Sequence, residues 1–332
     1  MSTLATLDFK KRISELSLQS SLLIYELDKK IFETRNDKEE QIKYIVSKNI
    51  IVKLQGLSKD LLEANDNIMT VVSSLRYALE TLITLKFFIK VPKSLYKAFY
   101  IMGYTELEII EGRIRRLEKE CELLDDLEKI ESDNSAAYLS ELTGKIKLWL
   151  EEYKNDKAIL GSKIQEASKM TKNKVFFETD KILDENITSI FLVDAKKNGM
   201  GFQKHLLKTQ ILPQYEKARD ITKSKIAQME VELKQSPSMN ALFDFTGNPQ
   251  KTIKKILTES PKMSVKAEEV GLYDEYDFIY KFTSKMLHFS SYSILTSNDL
   301  KDEELLLSYN QYYQYSHQIF LNIKELCGTC IN

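Results

Sequence analysis

Tyr276, Tyr280, Ser284 and His288 recur every four residues in the segment YDEYDFIYKFTSKMLHFS, residues 273–290. On one helix that spacing gathers the hydroxyls and the imidazole on a single face. An imidazole can take or give a proton near neutral pH, and hydroxyls beside it can position a phosphate or carbonyl oxygen. The same row also suits a buried network in which Tyr, Ser and His bond one another. A second polar pair lies in SSLRYALE, where Arg76 and Glu80 stand four apart inside the most apolar helical segment of the chain. A charge there is costly unless paired. The expectation is therefore an Arg76–Glu80 ion pair, or Arg76 aimed into a polar pocket shared with the tyrosine face.

Other reactive-looking groups carry less. Cys327-Gly328-Thr329-Cys330 has the spacing of a redox or metal pair. It follows a helix, whose dipole disfavours a thiolate, and a structural zinc would need further ligands from distant Cys121, His205, His288 or His317. Gly199-Met200-Gly201 follows no strand and belongs to neither phosphate-loop pattern, so it reads as a turn. Acidic pairs are expected by chance among 49 Asp and Glu. No metal and no cofactor is assigned.

The elements that must position these residues read as helices throughout. Residues 4–33 carry Ile13, Leu16, Leu23, Ile24, Leu27 and Ile31 on one stripe, and 39–64 carry Ile42, Ile45, Val46, Ile51, Leu54, Leu57 and Leu61. Asn65 or Asp66 can cap a third helix that runs to about Ile89 and stops before Pro92. Helix returns over 94–130, with a break at Ser132–Ser135. A seam of Leu142, Ile146, Trp149, Tyr153, Leu160, Ile164 and Ala167 marks an arm over 136–180, with Asp156 inside it. A second arm spans 203–234, where Pro213 should kink the helix or delay its start. The turn between the arms is placed at 198–201. Short pieces over 235–271 precede helices at 272–289 and 302–327.

With 10 Gly and 5 Pro in 332 residues, the chain lacks the turns a sheet protein needs. The fold class is all-α: a helical bundle core carrying a long inserted antiparallel, coiled-coil-like helical hairpin. Residues 1–135 form the N-terminal core, 136–234 the inserted hairpin, and 235–332 the helices that complete the core. The polar start MSTLATLDFKKR predicts no signal peptide, no apolar run approaches the length of a membrane span, and three cysteines suit a reducing cytoplasm. The net charge of −1 makes the whole chain no magnet for polyanions, but charge is segregated. Eight acids stand against two lysines over 118–133, and eight bases against two acids over 196–225.

The two polar segments, SLRYALETL with Arg76 and Glu80 and YDEYDFIYKFTSKMLH with Tyr276, Tyr280, Ser284 and His288, resemble a bacterial family of helical proteins related in style to the HEPN superfamily. The resemblance implies a helical bundle and, in many such proteins, a metal-independent ribonuclease of defence and toxin systems. The usual HEPN motif, R-x(4–6)-H on one helix, is absent here. A site in this chain would be composite, with Arg76 from one helix and His288 from another.

Two functions follow as expectations. In the first, His288 acts as general acid/base, Arg76 neutralises a phosphate, Tyr280 or Ser284 positions it, Glu80 holds the arginine, and RNA meets the basic 196–225 segment. In the second, the chain is a non-catalytic helical scaffold whose hairpin engages a protein partner or a second copy. In either case the third helix and the Tyr276–His288 helix should pack with their polar groups converging, because burying each set alone leaves more unsatisfied donors.

Overall fold

The computed structural model describes residues 2–63, 67–186, 193–243, 252–287 and 301–328. Almost all of these residues are helical, with short turns between the helices and no strand among them. The all-α class is therefore observed. In chain order the helices are α1 (Ser2–Glu33), α2 (Lys38–Glu63), α3 (Ile68–Lys90), α4 (Lys93–Glu152), α5 (Lys157–Asn186), α6 (Val193–Asn198) and α7 (Met200–Leu206). They continue with α8 (Leu212–Gln235), α9 (Pro237–Phe243), α10 (Ile253–Thr258), α11 (Met263–Glu269), α12 (Tyr273–Leu287) and α13 (Asp302–Cys327).

Two compact units divide the chain, Met1–Met102 with Glu230–Asn332 and Gly103–Met229. The first unit centres on α3, which packs against α2, α11, α12 and α13. Its sequence supplies Val71, Leu75, Ala78, Leu79, Leu82 and Ile83 to the core at steps of three and four. Among the described residues α3 is the one helix long and apolar enough to cross a membrane, and half of that stretch is buried inside the protein. Asn67 caps it, accepting from the Met69 and Thr70 amides at 3.0 and 3.3 Å. Asn65 and Asp66, the caps expected from sequence, lie outside the described residues. At the far side Ile13, Leu23 and Leu27 of α1 meet Tyr309, Tyr312, Ile319 and Ile323 of α13 in the same core.

The second unit departs from the expected helix ends. α4 continues unbroken through Ser132–Ser135 to Glu152, because nothing there removes a donor or a side chain and Ala136-Ala137 favours helix. The chain turns at 153–156 instead. Asp156, expected inside the apolar seam, instead caps α5 by accepting from the Ile159 amide at 3.1 Å. The single arm expected over 136–180 is thus the end of α4 followed by α5. Lys163 on α5 lies over Tyr153 at 4.4 Å and Trp149 at 5.7 Å, and Lys174 lies over Tyr138 at 4.3 Å, so α5 runs back along α4.

Gly199, with φ of 86°, makes the expected turn between α6 and α7. That turn does not cap a protruding tip: Met200 is buried in a small core with Leu124 and Leu127 of α4, Leu183 of α5 and Leu207. α7 passes into α8 through a π-helical segment, Leu207–Ile211. Leu212 there donates to the Leu207 carbonyl, five residues back, and the wider turn accommodates Pro213 inside a continuing helix.

The segregated charge finds its partner within this unit. Lys204 pairs with Asp125 at 2.9 Å and also with Glu128, Lys208 pairs with Asp125 at 3.0 Å, and Lys223 with Glu111 at 3.5 Å. Hydrogen bonds from Lys204 and Lys208 hold the Asp125 carboxyl below its ordinary range. Lys196 pairs with Asp180 and Asp184 of α5. Much of the basic 196–225 segment therefore faces acids of α4 and α5.

Candidate functional site

α3 and α12 pack directly against one another in the first unit. Ile279 on α12 is buried in the common core, which turns Tyr276, Tyr280 and Ser284 toward the polar edge of α3. There the Arg76 Nε–H donates to Glu80 Oε1 at 2.9 Å, and Arg76 Nη1 donates to Ser284 Oγ at 3.5 Å. The guanidinium carbon lies 4.6 Å from the centre of the Tyr280 ring. Tyr276 stacks obliquely on Tyr280, with ring centres 5.6 Å apart. The structure thus brings Arg76, Glu80, Tyr280, Ser284 and Tyr276 together. His288 lies outside the described residues.

Exposure decides what this cluster can do. The side chains of Arg76 and Glu80 are 27% and 30% exposed, and Tyr280 is 41% exposed. A sealed polar core would show values near zero, so the cluster lies at the edge of the unit and is not part of its interior. A guanidinium has five N–H donors, and the bonds to Glu80 and Ser284 leave capacity for an incoming oxyanion. Glu80 fixes the plane of the fork, and the Tyr280 face supports it from one side. Burial, then the Glu80 charge and Tyr280, raise the pKa of the Tyr276 phenol, while Arg76 opposes them. Tyr276 therefore stays a hydrogen-bond donor at neutral pH.

Glu80 also borders a groove of 330 Å³ between α2, α3 and α4, shared with Asn49, Lys53, Tyr77, Thr81 and Thr84. Sequence reasoning missed this neighbour. Its signal was present in the polar steps Tyr77, Glu80/Thr81 and Thr84 along one side of an otherwise apolar helix.

The other candidates separate from this site. Cys327 is buried at the end of α13 and donates to Ser47 Oγ at 3.3 Å, and burial pushes its thiol up. Cys330 lies outside the described residues. Among the described residues no group of three His, Cys, Asp or Glu is placed to hold a metal ion.

Compared with known proteins, the chain matches no family model, no curated protein and no solved structure. The chemistry of the α3/α12 site therefore rests on its own geometry.

Proposed function

We propose that this chain is a HEPN-like helical protein that binds RNA phosphodiesters at the α3/α12 site and cleaves them without a metal ion, as a toxin-type effector in bacterial defence. The observation that carries the reading is Arg76, its guanidinium oriented by Glu80, backed by Tyr280 and bonded to Ser284, on a side chain that stays partly exposed. In this reading Arg76 neutralises the phosphate as charge builds on it, and Ser284 and Tyr280 set its orientation. His288 stands four residues beyond Ser284 in the sequence and serves as general acid/base. The ribose 2′-hydroxyl attacks the adjacent phosphorus, its proton is removed, and the leaving 5′-oxygen is protonated as its bond to phosphorus breaks. DNA lacks that hydroxyl and should resist.

The test is incubation of the purified full chain with RNA and with DNA of the same sequence in the presence of a chelator. RNA alone should be cut, and Arg76→Ala and His288→Ala should abolish cutting while the far-ultraviolet circular dichroism stays helical. Intact RNA with the unaltered protein, or full activity in Arg76→Ala, contradicts the reading.

A second reading, a non-catalytic scaffold that engages a protein through the α4/α5 pair, is favoured by one observation. α4 and α5 enclose a groove of 710 Å³ floored by Leu142, Trp149, Ala167 and Met170, and Phe176 and Phe177 on α5 are 75% and 67% exposed. It takes the lead if RNA is neither bound nor cut.

A further inference from the structure

α1 is apolar on two opposite faces. Ile13, Leu16, Leu23 and Leu27 are buried in the core. On the other side Leu18, Leu22, Tyr25 and Phe32 are 70%, 57%, 70% and 71% exposed. A surface helix ordinarily carries one apolar stripe, so the outer row asks for a second partner.

The spacing of that row specifies the partner. Lys11, Glu15, Leu18, Leu22, Tyr25, Lys29 and Phe32 are all exposed and follow one another by alternating steps of four and three. This is the a/d seam of a two-stranded coiled coil, with charges at three of its seven positions. We propose that the occupant is α1 of a second copy of this chain, packed antiparallel.

Charge sets the direction. Parallel pairing in register places Lys11 on Lys11, Glu15 on Glu15 and Lys29 on Lys29, each a like-charge contact in the seam. Antiparallel pairing with Leu22 against the partner's Tyr25 removes all three. It lays Lys29 along the partner's Leu18 and Glu15 along the partner's Phe32, and brings Arg12 beside the partner's Glu33. Long charged side chains cover apolar neighbours through their methylene stems while the heads stay wet.

The area is adequate. The four outer side chains expose roughly 550 Å² in each copy, so their full burial in two copies removes at most about 1,100 Å², and with flanking residues the pair reaches the lower bound of a stable interface. The flank is open: α1 and α2 leave a groove of 660 Å³ lined by Ser14, Ser17, Leu18, Ser21, Val52 and Gly56. The interface uses none of the α3/α12 residues, so it stands or falls apart from the RNA reading.

Light scattering on the full chain should give twice 38.6 kDa. The double variant Leu18→Glu/Tyr25→Glu, which changes only exposed side chains, should give 38.6 kDa with its helical circular dichroism unchanged. Direction is read by oxidation in a Cys330→Ser background. Leu22→Cys should cross-link to its copy, whereas Phe32→Cys should not, because the antiparallel register separates those positions by about 25 Å along the helix axis. A monomeric unaltered chain, a dimer that survives the double variant, or a Phe32→Cys cross-link overturns the proposal.

Discussion

The guanidinium of Arg76 on α3 and the ring of Tyr280 on α12 lie 4.6 Å apart, centre to centre. This contact joins two helices 204 residues apart in sequence (280 − 76). The Arg76 side chain stays partly exposed beside that ring, so the pair is not a core strut.

The core of the same unit holds a polar contact of the opposite kind. Tyr312 is 1% exposed, its hydroxyl lies 2.9 Å from Ser58 Oγ, and it donates to the Leu54 carbonyl at 3.4 Å. Tyr312→Phe strands the Ser58 hydroxyl and should cost about 1–3 kcal/mol in chemical denaturation, with helix content intact. An unchanged unfolding midpoint would show that the hydroxyl is not needed there.

Alkaline pH should unfold this unit early. Burial is the main cause that raises Tyr44, Tyr100 and Tyr312 from the ordinary 10.0 to about 12. Folded pKa values above the unfolded ones mean that the protonated phenols favour the folded state. Their stabilisation is complete below pH 10.0 and is lost as pH rises toward about 12. Melting temperature should therefore decline through that window, together with the appearance of phenolate absorbance. Phenolate absorbance complete near pH 10 in the folded protein would contradict the assignment.

Glu120 is the corresponding weak point of the second unit. It is 7% exposed, accepts from Gln203 Nε2 at 3.4 Å, and burial raises its pKa. A raised carboxyl stabilises the fold below its unfolded pKa and loses that contribution as pH rises through the folded value, so at neutral pH its charge is a burden. Glu120→Gln keeps an acceptor for Gln203 and should raise the melting temperature at neutral pH, with the gain shrinking in acid. A lower melting temperature at neutral pH would show that the charge is needed, with Arg116 as its counterpart.

How far the sequence foretells the structure differs between the two units. In the first, periodicity foretells α1, α2, α3 and α13 to within one or two residues, because each sends a stripe of apolar side chains into the core at steps of three and four. The meeting of Arg76 and Glu80 with Tyr280 and Ser284 was legible because unpaired polar groups on packed helices seek one another. In the second unit, the apolar steps at Leu142–Ala167 continue in phase across a reversal of the chain. Periodicity alone hides such a turn. The sign that could have revealed it is Asn155-Asp156 ahead of Lys157-Ala158-Ile159, a helix N-cap. The π segment before Pro213 had no pattern of its own.

That turn gives a simple probe. Lys154 is exposed between α4 and α5, whereas Met200, beside the Gly199 turn, is buried. Brief trypsin treatment should cut after Lys154 sooner than within 199–208. First cleavage after Lys204 or Lys208 would contradict this packing.

The most direct test of the α3/α12 reading is the rate of RNA cleavage, in chelator, by the unaltered chain, Arg76→Lys and Arg76→Ala, with melting temperature measured beside each rate. The Arg76–Glu80 pair is partly exposed, so its loss should change stability by no more than about 1 kcal/mol. Lysine keeps the charge but not the planar fork that Glu80, Tyr280 and a phosphate share. Arg76→Lys should lose about tenfold or more in rate, equivalent to about 1.4 kcal/mol, and Arg76→Ala should lose all activity, with all three proteins melting within a few degrees of one another. Equal rates in all three, or no cleavage by the unaltered chain, would contradict it.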